Sequence, residues 1–272
     1  MIRFFLLFLF SFSLNCLAIE AHKAEYILSL YESTQSSGIY GIEGKSIYTL
    51  KKECSGWDTE EDLMVNFQLQ DNVESKLISK WATFETFSGK SYQFDLTEKI
   101  NDQNTSNFFG FANISKNIQD NIAVYISDKE YQIILDEKIE FPIMQLKNII
   151  TAAKQNKKVY NSNIFLGSEL QDNYNVVSAI IGPLTPKKNS DFNSILIQDY
   201  YWPVYLAYYK PTLELDRPEY TVSAKLQENG VILEYIIDCI TCKNIRTRVA
   251  YSTQDVLFRY ILFIFTSCVC VF

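Results

Sequence analysis

The chain has 272 residues, 47% hydrophobic and 15% aromatic, with 25 basic against 32 acidic side chains and a formal charge of −7. That is enough apolar sequence for one large β domain, and the acidic balance excludes a general affinity for nucleic acid or for anionic headgroups over most of the surface. No Pro-, Gly- or Ser-rich linker divides the sequence.

Residues 1–18 place Arg3 before an apolar run over 4–14 and end on the small Ala18. A core this short reads as a cleavable secretory signal rather than a spanning helix, so the mature chain is expected to begin near Ile19. Loss of Arg3 leaves 24 basic against 32 acidic residues, a charge of −8. Ser13 and Asn15 suit a lipid-attachment motif around Cys16 poorly.

Period-two alternation dominates the rest and predicts strands with one packed and one wet face. Ala24, Tyr26, Leu28 and Leu30 oppose Lys23, Glu25 and Ser29. Leu63, Val65, Phe67 and Leu69 alternate with Asn66, Gln68 and Gln70; Tyr92, Phe94 and Leu96 alternate with Ser91, Gln93 and Asp95. One stretch breaks this pattern. Pro142 suits a first helical turn, and Ile143, Leu146, Ile149, Ile150 and Ala153 recur at helical spacing, with Lys154, Lys157 and Lys158 near the negative end. A single helix over 141–156 is predicted between two strand-rich halves. In the second half, Tyr220, Val222, Ala224 and Leu226 restore the alternation.

Candidate chemistry is sparse. The one histidine, His22, lies in a strand pattern, and no Gly-x-Ser-x-Gly elbow accompanies it, so it reads as structural. Gly38, Gly41 and Gly44-Lys45 miss the phosphate-loop spacing by one residue and run into strand sequence. Asp58, Glu60, Glu61 and Asp62 lack the spacing of a calcium loop and read as a solvated loop. Trp57, Trp81 and Trp202 with the many tyrosines and phenylalanines suit a packed core better than an apolar ligand groove. No metal or cofactor is expected. Cys239-Ile-Thr-Cys242 has redox spacing without the βαβ setting, and Cys239, Cys242, Cys268 and Cys270 have an irregular spacing for zinc. A disulfide from Cys54 to one of these C-terminal cysteines suits an exported protein. Residues 257–272 are apolar, with Arg259 interrupting a run too short to span a bilayer.

Short signatures recur in a defined order: His22-Lys-Ala-Glu-Tyr26, Cys54-Ser-Gly-Trp57, Trp81 with Glu85, Phe141-Pro142, Trp202-Pro203, Pro218-Glu-Tyr220 and Asn229-Gly230. Across 21–238 this series resembles the envelope integrity protein B family of periplasmic proteins. The resemblance implies an exported, mainly β chain built as a large curved antiparallel β-spiral, or open barrel-like sheet, with one main helix. It divides the sequence into a signal peptide over 1–18, a single domain over 19–238 and a diverged tail over 239–272. It also implies a disulfide from Cys54, with Cys268 the first choice of partner and Cys270, Cys242 and Cys239 behind it. The family's role is non-enzymatic maintenance of the cell envelope through a periplasmic tetratricopeptide-repeat protein; a lipid or lipoprotein carrier with an apolar cavity is the alternative.

Overall fold

The computed structural model describes residues 19–34, 37–115, 121–135, 138–170, 173–188, 194–211, 217–239 and 245–252. The first half is a meander of β1 (His22–Glu32), β2 (Ile39–Lys52), β3 (Gly56–Leu69), β4 (Glu74–Thr86), β5 (Ser91–Ile100), β6 (Gln103–Asn113), β7 (Ile122–Ile126) and β8 (Glu130–Ile134). The short β9 (Ile139–Glu140) then leads into α1 (Pro142–Lys154). The second half contains β10 (Val159–Ile164), β11 (Asn175–Ile181), β12 (Thr185–Pro186), β13 (Tyr200–Tyr209), β14 (Tyr220–Leu226), β15 (Ile232–Cys239) and β16 (Ile245–Ser252).

These strands form one sheet whose spatial order runs from β8 back through β1, crosses to β16 and continues to β9. β1 therefore lies in the middle, between β2 and β16, and the two ends of the sheet fall at mid-sequence. Neighbours pair antiparallel except β9 with β10, which are parallel and joined through α1 as a crossover connection requires. The main β architecture and its one helix thus follow the sequence expectation. The predicted end of the domain moves. Residues 245–252, placed in the tail from sequence, form β16 and pair with both β1 and β15. The expected signal peptide and the tail beyond residue 252 lie outside the described residues.

The sheet curls because its inward side chains meet one another across it. Tyr92 and Phe94 of β5 contact Phe165, which follows β10 at the other end of the sheet, at ring separations of 6.3 and 5.7 Å. Tyr92 also stacks on Phe141 at 5.0 Å and donates from its hydroxyl to the Leu166 carbonyl at 2.9 Å. Gly167, at a φ of +66°, is needed there because a Cβ would stand 2.7 Å from the Phe94 ring. The α1 face bearing Ile143, Leu146, Ile149, Ile150 and Ala153 is buried in the same core. α1 runs Pro142–Lys154, within the ordinary fraying of the predicted span.

Candidate functional site

Three of the sequence signatures converge at the N-terminus of α1. Phe141 occupies the cap position with no side-chain bond to the helix, so the first N–H groups need an acceptor from elsewhere. Glu85, an inward position of β4, supplies it: Ile143 N–H donates to its Oε2 at 2.7 Å and Met144 N–H to its Oε1 at 2.9 Å. Burial pushes the Glu85 carboxyl up to about 8, against the opposing pull of these two N–H groups and of Lys147.

Trp57 lies directly across from Glu85 in the β3–β4 ladder. Gly56 permits this approach, since a Cβ there would fall 2.2 Å from the Glu85 carbonyl oxygen. The Trp57 ring is buried, meets Phe87 edge-on at 5.9 Å, and carries the ammonium groups of Lys147 and Lys52 at 5.5 and 5.9 Å from its centroid. Gly89 turns at a φ of +64° beneath Met144 of α1. The unit is a clamp between a hairpin and a helix, with no nucleophile and base in hydrogen-bonding reach among its named contacts.

Of the remaining signature residues, His22, Tyr26, Asn229 and Gly230 lie near the seam between the halves, and Trp202, Pro203 and Tyr220 lie on β13 and β14. His22 is buried, its Nδ1–H donating to the Glu20 carbonyl, and burial lowers its imidazole to about 2. It therefore stays neutral at physiological pH and moves no proton. Tyr26 donates to the Ile232 carbonyl at 3.1 Å and meets Tyr235 edge-on. The turn after β14 is pinned by its own side chains: Asn229 Nδ2–H donates to the Leu196 carbonyl at 2.8 Å, and Val231 N–H donates to Asn229 Oδ1 at 3.1 Å. Gly230 turns at a φ of +88° against Ile19 and Leu146 of α1. Trp202 is buried opposite Leu226, Pro203 is exposed opposite Lys225, and Tyr220 stacks on Tyr208 at 4.4 Å. Gly56 and Trp57 thus belong to one cluster, His22, Tyr26, Asn229 and Gly230 to another.

A third feature escapes the motif reading. The acidic run at 58–62 is not a loop but part of β3: Glu60 and Asp62 are exposed while Glu61 points inward and is buried. Ser46 Oγ–H donates to Glu61 Oε1 at 2.7 Å, and burial pushes the Glu61 carboxyl up to about 8. Glu98, also buried and inward, stands opposite Ser79 on β4 and is raised by the same cause. Extending the Leu63 and Val65 alternation back by one step identifies the Glu61 position from sequence. Among the described residues no group of three His, Cys, Asp or Glu is placed to hold a metal ion.

The cysteine expectation is corrected in part. Cys54 is a free, exposed thiol in the turn between β2 and β3, so the expected bridge from it is absent here. Cys239 is the disulfide-bonded cysteine among the described residues. Ladder registers explain why these two do not join. Lys52 lies at the end of the sheet where β1 begins, whereas Cys239 pairs with Ile245 beside Arg246 and Glu32, where β1 ends. That separation is on the order of 40 Å along the strands, against the roughly 6 Å between Cα atoms that a disulfide spans. Cys242, Cys268 and Cys270 lie outside the described residues. A maleimide is expected to label Cys54 without reductant and Cys239 only after reduction; mass spectrometry of the tryptic peptides checks both.

Comparison with known proteins follows the same pattern. Residues 14–240 match the EipB-like family. The chain belongs to the EipB-like family. Its EipB-like sequence is 24% identical over 229 residues to the cell envelope integrity protein EipB of Brucella abortus (strain 2308), covering 82% of this chain and 80% of that one. The EipB-like fold is similar to the crystal structure of a β-barrel-like protein of domain of unknown function DUF1849 from Brucella abortus. The TM-score is 0.79 at 22% identity, over 86% of this chain and 97% of that one.

Proposed function

We propose that this EipB-like chain is an exported, non-enzymatic periplasmic protein that maintains the integrity of the cell envelope by binding a periplasmic tetratricopeptide-repeat protein. The observation that carries the reading is the family match across nearly the whole domain, with a relative named for envelope integrity. The physical chemistry of the fold is consistent with it. His22 is a neutral core residue, Glu85 is engaged as a helix cap, and the inward aromatic rings pack on one another. Recognition then falls to the outer face of the curl. A lipid carrier has less support, because an acyl chain would have to displace these rings and lie against Ser46, Glu61, Ser79 and Glu98.

Titration calorimetry of the exported chain against the repeat protein encoded in the same genome tests the partner. A saturable one-to-one complex is expected. No heat and no co-elution on size exclusion at matched concentrations would remove that partner from the account.

A further inference from the structure

The inner face of the curl holds one cluster that the fold leaves incomplete. Glu61 on β3 is flanked in its own ladder row by Tyr48 on β2 and Trp81 on β4. One inward row along, Tyr26 on β1 stands opposite Ser46, the donor to Glu61. Tyr235 reaches in from β15 and meets the Tyr26 ring edge-on at 5.9 Å. Burial holds the Tyr235 hydroxyl well above its usual value, and Glu61 and then Tyr26 act on it in the same direction, so Glu61 lies within electrostatic reach of Tyr235. Neither Glu61 nor any of these four aromatic side chains is more than 5% exposed.

Three polar atoms of the cluster have no hydrogen-bonding partner among the described residues: Glu61 Oε2, Trp81 Nε1 and the Tyr235 hydroxyl. Each belongs to a buried side chain at an inward strand position. One open acceptor and two open donors, shut away from solvent, are an arrangement that a folded chain rarely leaves unfilled. No Lys or Arg is among the buried polar side chains, so the fold supplies Glu61 with no counter-ion. The other titratable side chains around Glu61 are Tyr26, Tyr48 and Tyr235, Glu98 opposite Ser79 in the next inward row, and Asp62 beside it on the outer face. All of them are acids, and none repels a cation.

We propose that this cluster binds a small quaternary ammonium cation carrying a hydrogen-bond acceptor a short carbon link away, the chemistry of choline. The ammonium group lies against the rings of Tyr26, Tyr48, Trp81 and Tyr235 with the Glu61 carboxylate as its counter-ion, and the acceptor takes the Trp81 N–H or the Tyr235 O–H. Ring faces attract such a cation most strongly where water is excluded. A quaternary ammonium is weakly hydrated, so a dry site costs it less than it costs a primary ammonium or a metal ion. The site lies inside the curl and is independent of the repeat-protein reading, which uses the outer face.

Titration calorimetry of the exported chain with choline near neutral pH tests it. One saturable site with a Kd below about 1 mM is expected. The uncharged analogue with a tert-butyl group in place of trimethylammonium is expected to bind about tenfold more weakly or worse. Phosphocholine, whose phosphate would face Glu61, is expected not to bind, which separates the free cation from a lipid headgroup. The cation replaces the proton that buried Glu61 keeps up to about 8, so binding releases about one proton, read from the heats in two buffers of different ionisation enthalpy. Glu61→Gln is expected to weaken choline binding about tenfold or more and to abolish the proton release, and Trp81→Leu to weaken it about fivefold. Glu60→Gln, on the outer face, is expected to change nothing, and circular dichroism of every variant checks the fold. No saturable heat, equal binding of the uncharged analogue or of phosphocholine, or a folded Glu61→Gln variant that binds choline like its parent overturns the proposal.

Discussion

Between pH 4.5 and about 8 the protein is expected to lose stability as the pH rises, and Glu61→Gln to make that decline shallower. Glu61 is held in the folded chain by one hydrogen bond from Ser46, and the buried polar side chains among the described residues include no Lys or Arg to compensate an ionised carboxylate. Burial therefore favours the protonated acid, and the folded chain keeps a proton that the unfolded chain releases. The sign follows from linkage: the contribution is complete below the unfolded value of 4.5 and is lost as the pH rises through the folded value of about 8. It is on the order of 5 kcal/mol for Glu61, with Glu85 and Glu98 acting in the same direction. The neutral amide of Glu61→Gln has the shape of the protonated acid and nothing to ionise. Urea midpoints across this range measure the slope, and stability that climbs with pH would contradict the buried acid.

Glu85→Ala is expected to cost about 3 kcal/mol, well beyond an ordinary surface change. It removes both acceptors from the start of α1, leaving the N–H groups of Ile143 and Met144 without their partners in a buried setting, because Phe141 offers no cap. Glu85→Gln keeps one carbonyl acceptor and should cost about 1 kcal/mol. The damage should be local before it is global, with amide exchange at Ile143 and Met144 accelerating more than exchange in β1. An alanine variant with the unfolding midpoint of the parent would mean that α1 is held by its apolar face alone.

Both effects depend on placements that the sequence reveals unevenly. The strands at β1, β3, β5 and β14 are legible because each has one wet face, and α1 is legible because Pro142 marks its start and apolar residues recur at helical spacing. β7 is less so, since Ala123, Val124 and Tyr125 are buried in succession and erase the alternation. β16 lies beyond the last family signature, and its pairing with β1 joins residues more than two hundred positions apart, which no local pattern encodes. Trp57, Glu85 and Phe141 are each visible as motif residues, yet only the curl shows that they serve one helix terminus. A run of acids such as 58–62 looks solvated by composition, whereas strand parity sends Glu61 inward alone.

The envelope role itself is tested most directly by deleting the gene and plating the strain on a membrane-active detergent. The account predicts hypersensitivity that is restored by the wild-type gene supplied in trans. A deletion strain as resistant as its parent, across detergent and salt stress alike, would contradict it.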